Sequence, residues 1–152
     1  MLPFDLYPGG GRKLLGVTKG SNARHEYGCE LMRLSGGSRC AYCETDLTST
    51  YQMWLTMVVD HVVPIKLCKL ARIPDNWCWD YSNAVLACAA CNGFCNRYSP
   101  SFSVVPPETP EAFYNLRDEI FNERKRLIAA RHEEELKFFN GRSWQPAVGK
   151  QD

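Results

Sequence analysis

Apolar and polar positions change period several times along the chain, and each change predicts an element. Tyr27, Leu31 and Leu34 recur at steps of three and four, which suits a short helix from about Asn22 to Leu34 that ends at Gly36-Gly37. Residues 50–65, YQMWLTMVVDHVVPIK, are aromatic and β-branched between polar turns. They predict strand before and around Asp60-His61, with Pro64 limiting ladder pairing. Residues 66–81 lack a clean period, and Pro74-Asp75-Asn76 marks a loop or small insertion packed through Trp77 and Trp79. Asp80 or Ser82 suits a helix N-cap, with Asn83 to about Asn92 spanning a strand end and a short helix. Thr109-Pro110-Glu111 supplies an N-cap, a first-turn proline and an early acid for a long C-terminal helix. On that helix Phe113, Leu116, Ile120 and Leu127 lie close to one stripe. Arg117, Glu123, Arg124, Lys125, Arg126 and the Glu133-Glu134-Glu135 run read as a mostly solvated face.

At 152 residues the chain suits one domain of mixed α+β class. Gly9, Gly10, Gly11, Gly16 and Gly20 predict a loose N-terminal arm over 1–21. A core over 22–99, a turn-rich linker over 100–110 and a helical extension over 111–152 packed on the same domain complete the expectation. Lys and Arg number 18 against 17 Asp and Glu, so attraction to nucleic acid must come from a local cluster and not from net charge. No stretch approaches the roughly 20 apolar residues of a membrane helix. The opening MLPFDLYPGGGRK lacks the order of a secretory signal, so a soluble, cytoplasmic protein without membrane contact is expected.

Eight cysteines without an export signal suggest metal ligands or buried thiols before disulfides. Cys40 with Cys43 and Cys88 with Cys91 form two C-x-x-C pairs, and each pair can deliver two thiolates from one turn to a tetrahedral Zn²⁺. Four thiolates leave no position for water, so this zinc is structural. Cys29, Cys68, Cys78 and Cys95 are expected to pack as small hydrophobes, with Cys95 the one competitor as a ligand.

The CAYC pair, the Asp60-His61-Val-Val-Pro64 element and NAVLACAACN over 83–92 follow one another in an order that resembles the HNH endonuclease family. The resemblance covers about residues 38–98. It implies a ββα-metal core with a four-cysteine zinc site, flanked here by an N-terminal helix and a long C-terminal helix. It also implies hydrolysis of phosphodiester bonds, DNA being the expected substrate. Phosphodiester hydrolysis needs a base for water, a cation for the phosphate oxygens and help for the leaving oxyanion. His61 is the candidate base. By the resemblance, Asp60 and Asn92 hold a catalytic Mg²⁺ or Mn²⁺, and Asn83 bonds the loop that carries His61.

The family commonly continues C-N-x-x-Lys, whereas this chain reads CNGFCNRYS. Cys95 stands at the lysine position, Arg97 is the nearest basic residue, and Asn96 competes with Asn92 as a ligand. Lys66, Lys69 and Arg97 are the candidate phosphate contacts, with Arg72 beside them. The resemblance also suggests a bacterial or phage defence or restriction setting. The C-terminal helix suggests a homodimer or a protein partner. The alternative is a catalytically inactive zinc module that binds nucleic acid or protein.

Overall fold

The computed structural model describes residues 1–7 and 24–146. A 3-10 turn, Pro3–Leu6, comes first. A π-helical turn, Arg24–Gly28, then runs into α1, Cys29–Ser35. Next come α2 (Tyr51–Leu55), β1 (Met57–His61), α3 (Ile65–Leu70), α4 (Asp75–Cys78) and a 3-10 turn (Tyr81–Asn83). β2 (Ala84–Cys88), α5 (Ala89–Phe94) and α6 (Pro110–Gly141) complete the α+β order. α1 stops where Gly36 turns left-handed at φ +66°, a conformation that costs glycine nothing.

The strands pair antiparallel, with Met57 opposite Cys88 and His61 opposite Ala84. All five residues of β2 are buried, because the 39–46 turn covers one side and donates from Ala41 N–H to Leu86 C=O at 2.9 Å. The strand expected over 50–65 is thus shortened. Thr50 accepts from Met53 N–H at 3.1 Å and starts a helical turn, so a local cap overrides the β propensity of Tyr51 and Trp54.

Residues 66–81 are not an irregular loop. Pro64 and Pro74 each precede a short helix, and Cys68 and Cys78 join those helices in a disulfide. Both cysteines are buried as expected, but bonded to each other and not packed as separate thiols.

Helix α6 starts as its sequence predicts, with the Thr109 hydroxyl accepting from Ala112 N–H at 3.1 Å. Its buried face corrects the expectation. Phe113, Leu116 and Ile120 are buried with Phe121 and Ile128, whereas Leu127 is 52% exposed. Arg117, Glu123 and Arg124, expected in solvent, are buried. Arg117 lies 3.8 Å over the Phe4 ring and donates to Ser82 C=O at 2.8 Å. Glu123 accepts from Tyr98 and from Ser101 N–H and hydroxyl, tying the 98–101 segment to the helix. The Glu133-Glu134-Glu135 run stays exposed.

Most of the expected arm, residues 8–21, lies outside the described residues. Residues 1–7 are packed: Phe4 is buried edge-on against Phe121 at 5.6 Å, and the Tyr7 hydroxyl donates to Ala84 C=O at 3.0 Å. Removing a buried phenyl ring typically costs about 3–5 kcal/mol. Phe4→Ala should therefore lower the unfolding free energy by about 3 kcal/mol in urea titrations, whereas a loose arm would leave it unchanged.

Candidate functional site

The hairpin ends carry two distinct sites. At one end, the isolated pairing of Arg39 with Asp46 folds residues 39–46 into a tight turn. Cys40 N–H donates to Thr45 C=O, and Glu44 sits at φ +63°. This turn presents Cys40 and Cys43, while Cys88 closes β2 and Cys91 lies in the first turn of α5. The four sulfurs all lie within 4.8 Å of one another, and they are the one such group among the described residues. Tetrahedral zinc with bonds of about 2.3 Å places its sulfurs about 3.8 Å apart. Cys43 and Cys88 are 3.9 Å apart, so the donor set suits zinc in both chemistry and spacing.

Local structure prepares one of these sulfurs, Cys88, for negative charge, while the neighbouring thiols and burial push Cys91 the other way. Cys88 N–H donates to the Cys40 sulfur and Cys91 N–H to the Cys88 sulfur, each at 3.4 Å. Hydrogen bonds from the Cys40 and Cys91 thiols hold the Cys88 thiol below its ordinary value. His132 of α6 adds a contact that sequence reasoning missed, with Nε2 3.1 Å from the Cys91 sulfur. Cys95 is buried outside the four-sulfur group.

At the other end stand Asp60 and His61, successive strand residues that point to opposite faces. Asp60 is buried, and its Oδ2 accepts from the Tyr42 hydroxyl at 2.5 Å and from Arg124 Nη2 at 2.9 Å. Arg124 Nη1 also donates to the His61 and Val62 carbonyls, at 3.0 and 2.8 Å. Burial opposes the charge on Arg124, yet nearby Tyr42 and Asp60 raise its proton affinity above the ordinary arginine value.

The His61 ring packs edge-on against Trp79 at 5.1 Å. Burial lowers its pKa below the ordinary value, with the Asp60 charge acting in the opposite direction. The neutral imidazole is thereby favoured, and its Nε2 is shielded from solvent without a hydrogen-bond partner.

Asn83 is fully buried. Its Oδ1 accepts from Val63 N–H at 2.9 Å, and its Nδ2 donates to the Val63 and Cys78 carbonyls at 3.0 and 2.9 Å. Its own carbonyl accepts from Val62 N–H. The residues following His61 are thus held to the start of β2 and to the disulfide-closed helices.

Asn92 is half-buried on α5, which packs against both strands. Asn96 and Arg97 are exposed just beyond it, and Lys66, Lys69 and Arg72 are exposed on and after α3. Besides His132, two site residues were unmarked at the sequence level, Tyr42 and Arg124. Arg124 carried a usable signal, since it stands four residues from both Ile120 and Ile128 on the buried stripe.

Purified protein should contain one zinc per chain by elemental analysis. Stripping it with a strong chelator should abolish cooperative thermal unfolding, because zinc affinities in such modules correspond to about 10–16 kcal/mol, comparable to or above the net stability of a domain. Unchanged near-ultraviolet circular dichroism after removal would show that the four sulfurs do not hold the fold.

No helix among the described residues is long and apolar enough to cross a membrane. No protein-family model, curated protein or solved structure matches this chain, so the functional reading rests on its own residues and geometry.

Proposed function

We propose that the protein is an HNH-type endonuclease that hydrolyses phosphodiester bonds of DNA, with His61 as general base. The observation that carries this reading is the His61 imidazole itself. It stands at the end of β1 beside Asp60, is favoured neutral by burial, and keeps Nε2 without a partner, while Asn83 holds the backbone that follows it. A buried ring nitrogen without a bond costs stability, so its retention suits a group whose partner arrives with substrate.

In this reading His61 Nε2 takes a proton from the attacking water, a step typically worth about 10²–10⁴ in rate. Asn83 holds the loop that directs the ring. Trp79 packs edge-on against one side of the imidazole. Asp60 and Asn92 would hold a Mg²⁺ or Mn²⁺ ion, whose chemistry is to neutralise phosphate charge and ease departure of the 3′ oxygen. Their oxygens are the hard donors such an ion prefers, but Oδ2 of Asp60 already serves Tyr42 and Arg124, so an ion would share this carboxylate. Lys66, Lys69 and Arg97 are exposed and suit contacts to the phosphate backbone. The four-cysteine cluster supplies structure and not turnover.

The same ion pair favours a second reading, a zinc module that binds nucleic acid or protein without cutting. A carboxylate neutralised by a buried arginine attracts a divalent cation less than a free one. Incubation with supercoiled plasmid and Mg²⁺ or Mn²⁺ separates the two. Wild type should nick and then linearise the plasmid, while His61→Ala should be slower by about 10²-fold or more and EDTA should stop the reaction. Intact plasmid with zinc-loaded wild type would favour the binding module.

A further inference from the structure

We propose that Arg124 is a positioning residue for the strand end that carries Asp60 and His61, which makes the first four turns of α6 part of the catalytic unit. The inference rests on the nuclease reading and adds to it a residue from outside the segment that resembles the family. The end of a strand leaves backbone groups without ladder partners. Here those of residues 61–63 are taken up by two residues. Arg124 donates to the His61 and Val62 carbonyls, and Asn83 engages Val62 N–H, Val63 N–H and the Val63 carbonyl. The same guanidinium reaches Asp60 Oδ2 through Nη2, so one planar group bonds three consecutive residues.

Geometry gives this arrangement its stiffness. Arg124 is 2% exposed and stands between Ile120 and Ile128 on the buried stripe, so the helix fixes where the fork lies. Tyr42 bonds the same carboxylate oxygen, Oδ2, and its ring lies 5.3 Å from the guanidinium carbon. A lysine at this position keeps the charge but presents one compact ammonium, which cannot hold the same planar set of acceptors. Displacement of a reacting group by about 1 Å is enough to cost about 10²-fold in rate.

The test compares wild type with Arg124→Lys, with Arg117→Lys as a control for a buried arginine on the same helix that bonds Ser82 instead. Zinc content and near-ultraviolet circular dichroism establish folding. Amide hydrogen exchange then reports on residues 60–63, and plasmid cleavage gives kcat and KM separately. Exchange at Val62 and Val63 should quicken about tenfold in Arg124→Lys while β2 is unchanged. kcat should fall about 10²-fold with KM within about twofold, and Arg117→Lys should keep both.

Unaltered exchange at these amides, or altered exchange with full kcat, overturns the proposal. A wild type that does not cut removes the nuclease reading and with it the catalytic sense of the proposal, while the exchange data still decide whether Arg124 orders the strand end. If Arg124→Lys does not fold, Arg124→Gln, which keeps an amide donor for the carbonyls, is measured in the same way. Failure of both to fold assigns Arg124 to folding alone and overturns the positioning role.

Discussion

The constraint on which the rest depends is the register of a single antiparallel pair. Met57 faces Cys88 and His61 faces Ala84, so one alignment fixes the four-sulfur cluster at one end and the Asp60-His61 pair at the other. A slip by one residue would turn every side chain of a strand to the opposite face. Asp60 would then lose Arg124, and the His61 ring would lose Trp79. Two strands of five residues cannot hold such a register unaided in water. A metal held by the four sulfurs would supply what the ladder lacks, because Cys88 is both the last residue of β2 and a member of the cluster.

The opposite end is held by polar side chains and not by sulfurs. Asn83 and Arg124 between them bond the backbone of three successive residues, and both are buried. Each missing partner of a buried polar group costs about 1–3 kcal/mol, and the two terminal nitrogens of Arg124 are bonded although its Nε is not. This explains why helix α6 carries charge on its inner side. Arg117 and Arg124 replace apolar residues where the surface they meet exposes carbonyl oxygens, at Ser82, His61 and Val62. The helix is therefore fitted to polar loop ends as well as to apolar core.

What the sequence made legible was local chemistry with fixed spacing. Two C-x-x-C pairs specified a cluster because each pair spans one turn, and Thr109-Pro110 specified a helix start because a cap acts within the first turn. Strand position around Asp60-His61 was legible from β-branched residues, but its beginning was not, since Thr50 caps a helical turn that aromatic composition does not reveal. The disulfide between Cys68 and Cys78 was missed because ten residues of unperiodic sequence gave no sign that two short helices bring the thiols together. Arg117, Glu123 and Arg124 were assigned to solvent on charge alone. For Arg117 and Arg124 position told otherwise: Phe113, Arg117 and Phe121 recur at steps of four, as do Leu116, Ile120, Arg124 and Ile128. Spacing outweighs side-chain type when the facing surface can pair the charge.

The His61 ring makes the same point at the site itself. No single segment produces its environment: β1 supplies the residue, α4 leads into Trp79, the turn before β2 supplies Asn83, and α6 supplies Arg124. The disulfide belongs to this set because Cys78 accepts from Asn83 through its carbonyl and immediately precedes Trp79. Closing Cys68 to Cys78 thus restrains the wall against which the imidazole packs and one of the acceptors that orient Asn83. A histidine whose surroundings come from four separate elements keeps its direction only if all four are docked, which couples the candidate chemistry to the fold as a whole.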